Sequence, residues 1–358
     1  MRPPPAPDSD PSRLVGKTVS RPGAPVGEGG SAAASPPGVS ASDLKKRLAT
    51  AAVAIPIIIA CIWAGGVWWM VFVVTVIALG TWEFAGFMEA KGLHFSKSVG
   101  LTASVGLGLL AQGSNEYFVT ILLTVTILLA LIRQLGRGDI SSAISGTSAT
   151  LFGVIYVGWL GSHLILIRNL GIEIGDKYLR RGGLPVPQGF DDVGFFFVLL
   201  AVACTFLSDT GGYFFGRAWG KHKLAPSISP KKSWEGLLGS LLFAMAGGVL
   251  VKFVFLRFFY EGRSYAQDFG YGHCVIVGLL CSSFGLAGDL AESLLKRDAR
   301  IKDASGLLPG HGGFLDRLDS LNFAVPLTYY YVKIYYYVHF APDVGGDVTR
   351  LLRRYGIG

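Results

Sequence analysis

Nine long apolar runs constrain this chain more than any other feature of its sequence. They fall at about 48–64, 67–87, 97–112, 117–133, 144–167, 193–214, 234–258, 272–293 and 321–339, the third and fourth being short. Each is near the ~20 residues that an α-helix needs to cross ~30 Å of hydrocarbon. Backbone polar groups find no water in a bilayer core, so runs of this kind are satisfied as helices. The expectation is an all-α, polytopic integral membrane protein with about nine transmembrane helices. Composition agrees: 16% of the 358 residues are charged, against about 25% in a soluble domain. Mean hydropathy is +0.48. Neither a repeat of fixed period nor an inverted-repeat symmetry is visible.

Residues 1–43 differ from everything that follows. They hold more than half of the prolines and no aromatic residue, the first being Trp63. A segment of this composition cannot bury enough apolar surface to offset its ordering entropy. We expect a disordered cytoplasmic tail ahead of a membrane domain over 44–358. Asp8, Asp10 and the proline load argue against an organellar presequence. The four cysteines (Cys61, Cys204, Cys274, Cys281) form no CxxC pair, which argues against zinc or a disulfide framework. The net charge of +8 fits basic loops and anionic lipid or phosphate ligands rather than nucleic acid.

Lys and Arg in short loops set orientation. With the N-terminus inside, Lys45, Lys46, Arg47, Lys91, Lys97, Arg133 and Arg137 fall on the cytoplasmic side. So do Arg217 to Lys232 and Lys296 to Arg317. The opposite loops at Gly65-Gly66 and Gln112 to Glu116 carry no basic residue. The loop 168–192, with Arg168, Lys177, Arg180 and Arg181, weakens the bias without reversing it. The C-terminus is then outside.

Two cytoplasmic loops concentrate the unusual polar residues. The first runs from Ser208-Asp209 through Lys221 and Lys223 to Ser229-Pro230-Lys231-Lys232-Ser233-Trp234-Glu235-Gly236. The second runs from Gly288-Asp289 through Lys302-Asp303 to His311-Gly312-Gly313 and Asp316-Arg317-Leu318-Asp319. Asp209 and Asp289 each lie 16 residues into an inward-running span, ~24 Å along it, so both belong near the cytoplasmic rim. Intramembrane carboxylates are costly and tend to line a polar cavity; the alternative for either one alone is a carboxylate buried at a helix end. Glu292, Ser293 and Lys296 share one helix face with Asp289. Carboxylates beside phosphate oxygens suit Mg²⁺, and the basic pairs suit a polyphosphate, although Lys231-Lys232 taken alone reads as a solvated face. His311-Gly312-Gly313 before a helix would let backbone N–H groups and a helix dipole meet an anion. No Walker A, GxSxG, HExxH or CxxC pattern is present.

Taken together, the second loop resembles the signature of phosphatidate cytidylyltransferases (CDP-diacylglycerol synthases). That pattern is S-x-x-K-R, then K-D, then P-x-H-G-G-x-x-D-R-x-D. Ser293, Lys296, Arg297, Lys302, Asp303, Ser305, Pro309, His311, Gly312, Gly313, Asp316, Arg317 and Asp319 fill it without a gap. The first loop is similar to the family's S-D-x-x-x-Y-x-x-G-[RK] and S-P-x-K-[ST]-W-E-G blocks, and GVIYVGWLG at 153–161 is similar as well. The resemblance covers about 44–340. Gly212 stands where the family often has alanine, a departure expected only to loosen helix packing.

The resemblance implies a transmembrane cytidylyltransferase domain over 44–358. Its reaction is CTP + phosphatidate → CDP-diacylglycerol + pyrophosphate, in a bacterial inner membrane with the active site facing the cytoplasm. A phosphate monoester nucleophile is already anionic, so no general base is needed. It implies Mg²⁺ on Asp289 and Asp316, with Asp209 and Asp319 as further ligands or supporting groups, and leaves open whether a monovalent cation shares the site. The implied catalytic set is Asp289, Lys296, Arg297, Lys302, Asp316 and Arg317. Substrate contacts fall to Ser208, Lys221, Lys223, Ser229, Lys232, Ser293, Gly312, Gly313 and His311, which either binds phosphate or caps the turn. The partners are CTP and bilayer phosphatidate, with a homodimer left open. Transfer to another membrane lipid, such as an ether lipid, is the alternative enzyme. An ion transporter using Asp209 and Asp289 is the alternative class, disfavoured because the polar residues gather on one side of the membrane.

Overall fold

A computed structural model of the chain describes residues 41–176, 192–258, 268–301, 304–307 and 312–340. The helices are α1 (Ala41–Ala64), α2 (Gly66–Ala90), α3 (Lys97–Ala111), α4 (Glu116–Arg137), α5 (Ala143–Arg168), α6 (Leu170–Ile174) and α7 (Val193–Trp219). After a hairpin of β1 (Lys223–Ala225) and β2 (Ser229–Ser233) come α8 (Trp234–Phe258), α9 (Tyr271–Asp298), α10 (Leu315–Leu318) and α11 (Leu321–Phe340). The protein is an all-α membrane protein apart from that hairpin. Each of the nine apolar runs lies on a helix. Among the described residues six helices, α2, α4, α5, α7, α8 and α9, are long and apolar enough to cross a membrane. The apolar part of α1 (Ala52–Ala64) and α3 are shorter. In α11 six tyrosines and Lys333 dilute the apolar character.

The hairpin departs from the all-helical expectation. Pro226 and Pro230 disfavour a helix through this stretch, and the Ile228 N–H donates to the Ala225 carbonyl (3.2 Å) to close its turn. The strands pair antiparallel, Lys223 opposite Ser233 and Ala225 opposite Ser229. The Ser233 hydroxyl then accepts from the Gly236 N–H (3.1 Å) and caps the start of α8. The Glu235 carboxylate holds the His222 ring at 2.6 Å, tying the hairpin to the helix.

Small residues draw the helices together, as association within lipid requires. A Cβ on Gly211 of α7 would lie 2.4 Å from the Gly239 carbonyl of α8, and one on Gly278 of α9 would lie 2.5 Å from the Ala244 carbonyl. Gly212 also tightens this packing, contrary to expectation: a Cβ there would meet the Ser240 hydroxyl oxygen at 2.5 Å, so alanine fits only if that hydroxyl turns away. The middle of α5, Val154–Trp159, is π-helical. This region packs through Gly153 onto Phe84 and Phe95, and through Gly158 onto Ser104.

On the face opposite the signature loops, Arg168 is buried. It donates to the Ile62 carbonyl (2.9 Å) and pairs with Asp192 (2.7 Å). Its charge is paired inside the fold. Lys177, Arg180 and Arg181 lie outside the described residues, as do residues 1–40 of the expected tail.

Candidate active site

The C-terminal halves of α7 and α9, together with α10 and the start of α11, line a cavity of about 150 Å³. Asp209, Asp289, Asp316 and Asp319 all line it, beside Arg317. The equal depth expected of Asp209 and Asp289 is thus realised in one polar chamber. Glycine makes the convergence possible. A Cβ on Gly288 would lie 2.3 Å from the Asp319 carbonyl, so only glycine lets that turn rest on α9 beside Asp289. Burial, and then the adjacent Asp289 carboxylate, push the Asp319 carboxyl well above the usual carboxylate range.

Two lysines pair with carboxylates of the chamber wall. Lys232 of β2 places its ammonium 2.6 Å from Asp289. Lys296 of α9 lies 2.6 Å from Asp316 and 3.2 Å from the fully buried Glu292. The Ser293 hydroxyl donates to Asp289 (3.3 Å) one turn back. Among the described residues, no three His, Cys, Asp or Glu side chains converge closely enough to hold a metal ion as they stand. Lys232 and Lys296 pair with Asp289 and Asp316 instead.

Asp316 does more than line the cavity. Its second oxygen accepts from the Gly313 N–H (2.7 Å) and the Ala304 N–H (3.0 Å). Burial alone would raise this carboxyl, but the Lys296 ammonium and those N–H donors outweigh it and hold the group below its ordinary value.

The glycine-rich turn is also occupied from within. Gly312 has φ +79°, in the left-handed region that favours glycine. A Cβ on Gly313 would lie 2.6 Å from the Glu83 carboxylate. Glu83, buried in α2, accepts from the Ser305 hydroxyl (2.5 Å) and from the Phe314 (3.0 Å) and Leu315 (2.7 Å) N–H groups. The N–H groups of Phe314 and Leu315 at this helix start thus meet an internal carboxylate. Sequence reasoning missed Glu83, although an acidic residue amid an apolar span is itself a signal.

The other expected residues are distributed as follows. Ser208 is buried and donates to the Ser282 hydroxyl (2.9 Å), which ties α7 to α9. Ser229 sits in β2; Lys221 and Lys223 are exposed at the hairpin. Arg297 is exposed and reaches the Ile228 carbonyl (3.5 Å), which links α9 to the hairpin turn. Lys302 and His311 lie outside the described residues.

The profile of the Cytidylyltransferase family matches residues 45–335. A phosphatidate cytidylyltransferase of Haemophilus influenzae is 41% identical over 138 residues, which is 38% of this chain and 46% of that protein. That of a Synechocystis species is 32% identical over 304 residues, 81% of this chain and 96% of its own length. That of Bacillus subtilis is 29% identical over 312 residues, covering 82% and 99%. With a match running from the start of α1 into α11 and through every wall of the carboxylate chamber, this chain belongs to the cytidylyltransferase family.

Proposed function

We propose that this protein transfers the cytidylyl group of CTP to phosphatidate, forming CDP-diacylglycerol and pyrophosphate. The observation that carries this reading is one chamber between membrane helices, lined by four aspartates and Arg317, with Lys232 and Lys296 paired to two of those aspartates. Such a chamber offers the charges that phosphate groups and their counter-ions require. The attacking phosphate oxygen is anionic already, so the protein needs to align two polyanions and offset charge as pyrophosphate departs. Lys232 and Lys296 would turn from Asp289 and Asp316 toward phosphate oxygens, and Arg317 would lie against the same charge. Lys302 and His311 join this set on their place in the sequence pattern.

The donors fit Mg²⁺ in kind, being hard carboxylate oxygens with room for water and phosphate. Asp289 and Asp316 would hold it, with Asp209 and Asp319 as further ligands or supporting groups. Bound there, Mg²⁺ supplies Lewis-acid stabilisation of phosphoryl charge. The site would face the cytoplasm at a bacterial inner membrane, as the basic loops suggest.

The test is an assay of detergent-purified protein with radiolabelled CTP and phosphatidate. Label appearing in the organic phase, dependent on added Mg²⁺, is the expected result. No lipid-soluble label would defeat the reading, and label that appears only with an ether-lipid acceptor would move the substrate.

A further inference from the structure

A second cavity, of about 900 Å³, opens between α3 and α4, away from the carboxylate chamber. Its wall along α4 is apolar, with Leu122, Val125, Leu129 and Ile132 facing it. Its mouth holds His94, Lys97, Arg133 and Arg137. From Leu122 to Arg137 the groove follows α4 for ~22 Å, the depth of one leaflet's hydrocarbon together with its headgroup layer.

The mouth is built unevenly. Lys97 pairs with Glu89 (2.9 Å) and lies over the Trp82 ring. Arg133 and Arg137, one turn apart on the same face of α4, have no carboxylate partner among the described residues. Behind them is a small recess lined by His94, Arg133, Arg137 and Thr147. The Thr147 hydroxyl oxygen is buried there without a hydrogen-bond partner. A basic face that only sets topology would spread into water. Here two guanidinium groups without a carboxylate partner lie together above an apolar trough.

We infer that this groove is a binding site for an anionic phospholipid, its phosphate between Arg133 and Arg137 and its acyl chains along α4. Basic pockets between membrane helices recognise lipid headgroups through this combination of charge and apolar depth. The site is distinct from the reaction chamber but not isolated from it. Lys91, just before the groove, pairs with Asp298 at the end of α9. Phe95 of the groove wall packs in one cluster with Phe84, Tyr156, Ala299 and Leu315, the last of these in α10 beside Asp316. The groove therefore opens on the same membrane face as the signature loops, and a lipid held there stays at the rim that the chamber occupies.

The test is native mass spectrometry of the full-length detergent-purified protein titrated with phosphatidylglycerol or phosphatidylcholine. The parent should retain one phosphatidylglycerol in preference to phosphatidylcholine. The double variant Arg133→Gln/Arg137→Gln should lose that preference by about thirtyfold, the combined worth of two basic side chains at a membrane surface. Val125→Trp keeps both arginines but fills the trough, at a position already 43% exposed, and should weaken retention of the lipid as strongly. Equal phosphatidylglycerol retention by the parent and either variant would overturn the inference. So would displacement of the lipid by millimolar inorganic phosphate, which would make the recess a site for soluble anions.

Discussion

Glu83 shows how much one side chain decides near the chamber. Its carboxyl accepts three hydrogen bonds from the loop that carries Asp316. In Glu83→Gln the amide nitrogen cannot accept, so at least one buried donor is left without a partner at a cost of about 1–3 kcal/mol. We expect a lower melting temperature and faster hydrogen exchange at the Phe314 and Leu315 amides; parent-like exchange there would show that the loop is held by other means. The two central aspartates should separate in the same kind of experiment. Asp289 sits at the rim, its side chain 32% exposed, and Asp289→Asn should abolish turnover with little change in stability. Asp316→Asn breaks a buried pair with Lys296 and perturbs the N–H groups of Gly313 and Ala304. It should cost about 3 kcal/mol, the low end for such pairs, because Lys296 keeps Glu292. Steady-state kinetics with titrated Mg²⁺, beside thermal melts of the same samples, separates the two. Parent-like kcat in Asp289→Asn would remove it from the reaction.

At the scale of elements, the α7–α8 contact sets how the helix carrying Asp209 lies against the element that follows the Lys232 strand. Asp209 is carried by α7, whereas Lys232 reaches Asp289 from the strand that leads into α8. Only glycine at 211 allows the two backbones this distance, since the nearest atom to an added Cβ is the Gly239 carbonyl oxygen. Gly211→Ala should therefore cost about 1–3 kcal/mol as an overpacked site, and should lower kcat as Asp209 moves from the rest of the chamber. Gly86 of α2 is the control, having no atom within 4 Å of an added Cβ. Gly86→Ala should be neutral or stabilising by up to about 1 kcal/mol. Equal loss of stability in the two variants would mean that helix propensity, not interhelical distance, governs both.

For the whole molecule, the consequence of the fold is that both signature loops share one membrane face. Single cysteines at Ser227, in the exposed hairpin turn, and at Gly306, an open position with no neighbour near an added Cβ, test this on a cysteine-free background. Both should react with a membrane-impermeant thiol reagent only once the cytoplasmic side is opened. Labelling of either in intact cells would reverse the orientation that the basic loops suggest.

The apolar runs alone determined the class of protein and where its helices lie, because backbone in hydrocarbon has no other way to meet its hydrogen bonds. The signature residues likewise named the chemistry, and equal chain length along two spans placed Asp209 and Asp289 in one cavity. The hairpin at 223–233 was not legible, since a three-residue strand carries no periodicity. Nor was the allotment of the polar groups. The Ser208 hydroxyl bonds to Ser282 and the Gly313 N–H to Asp316, partners that residue spacing does not name. Glu83 lies more than 200 residues from the loop it caps, at a sequence separation of 231 from Phe314. Residue type and spacing can state which groups need partners; only the packed helices decide which partner arrives first.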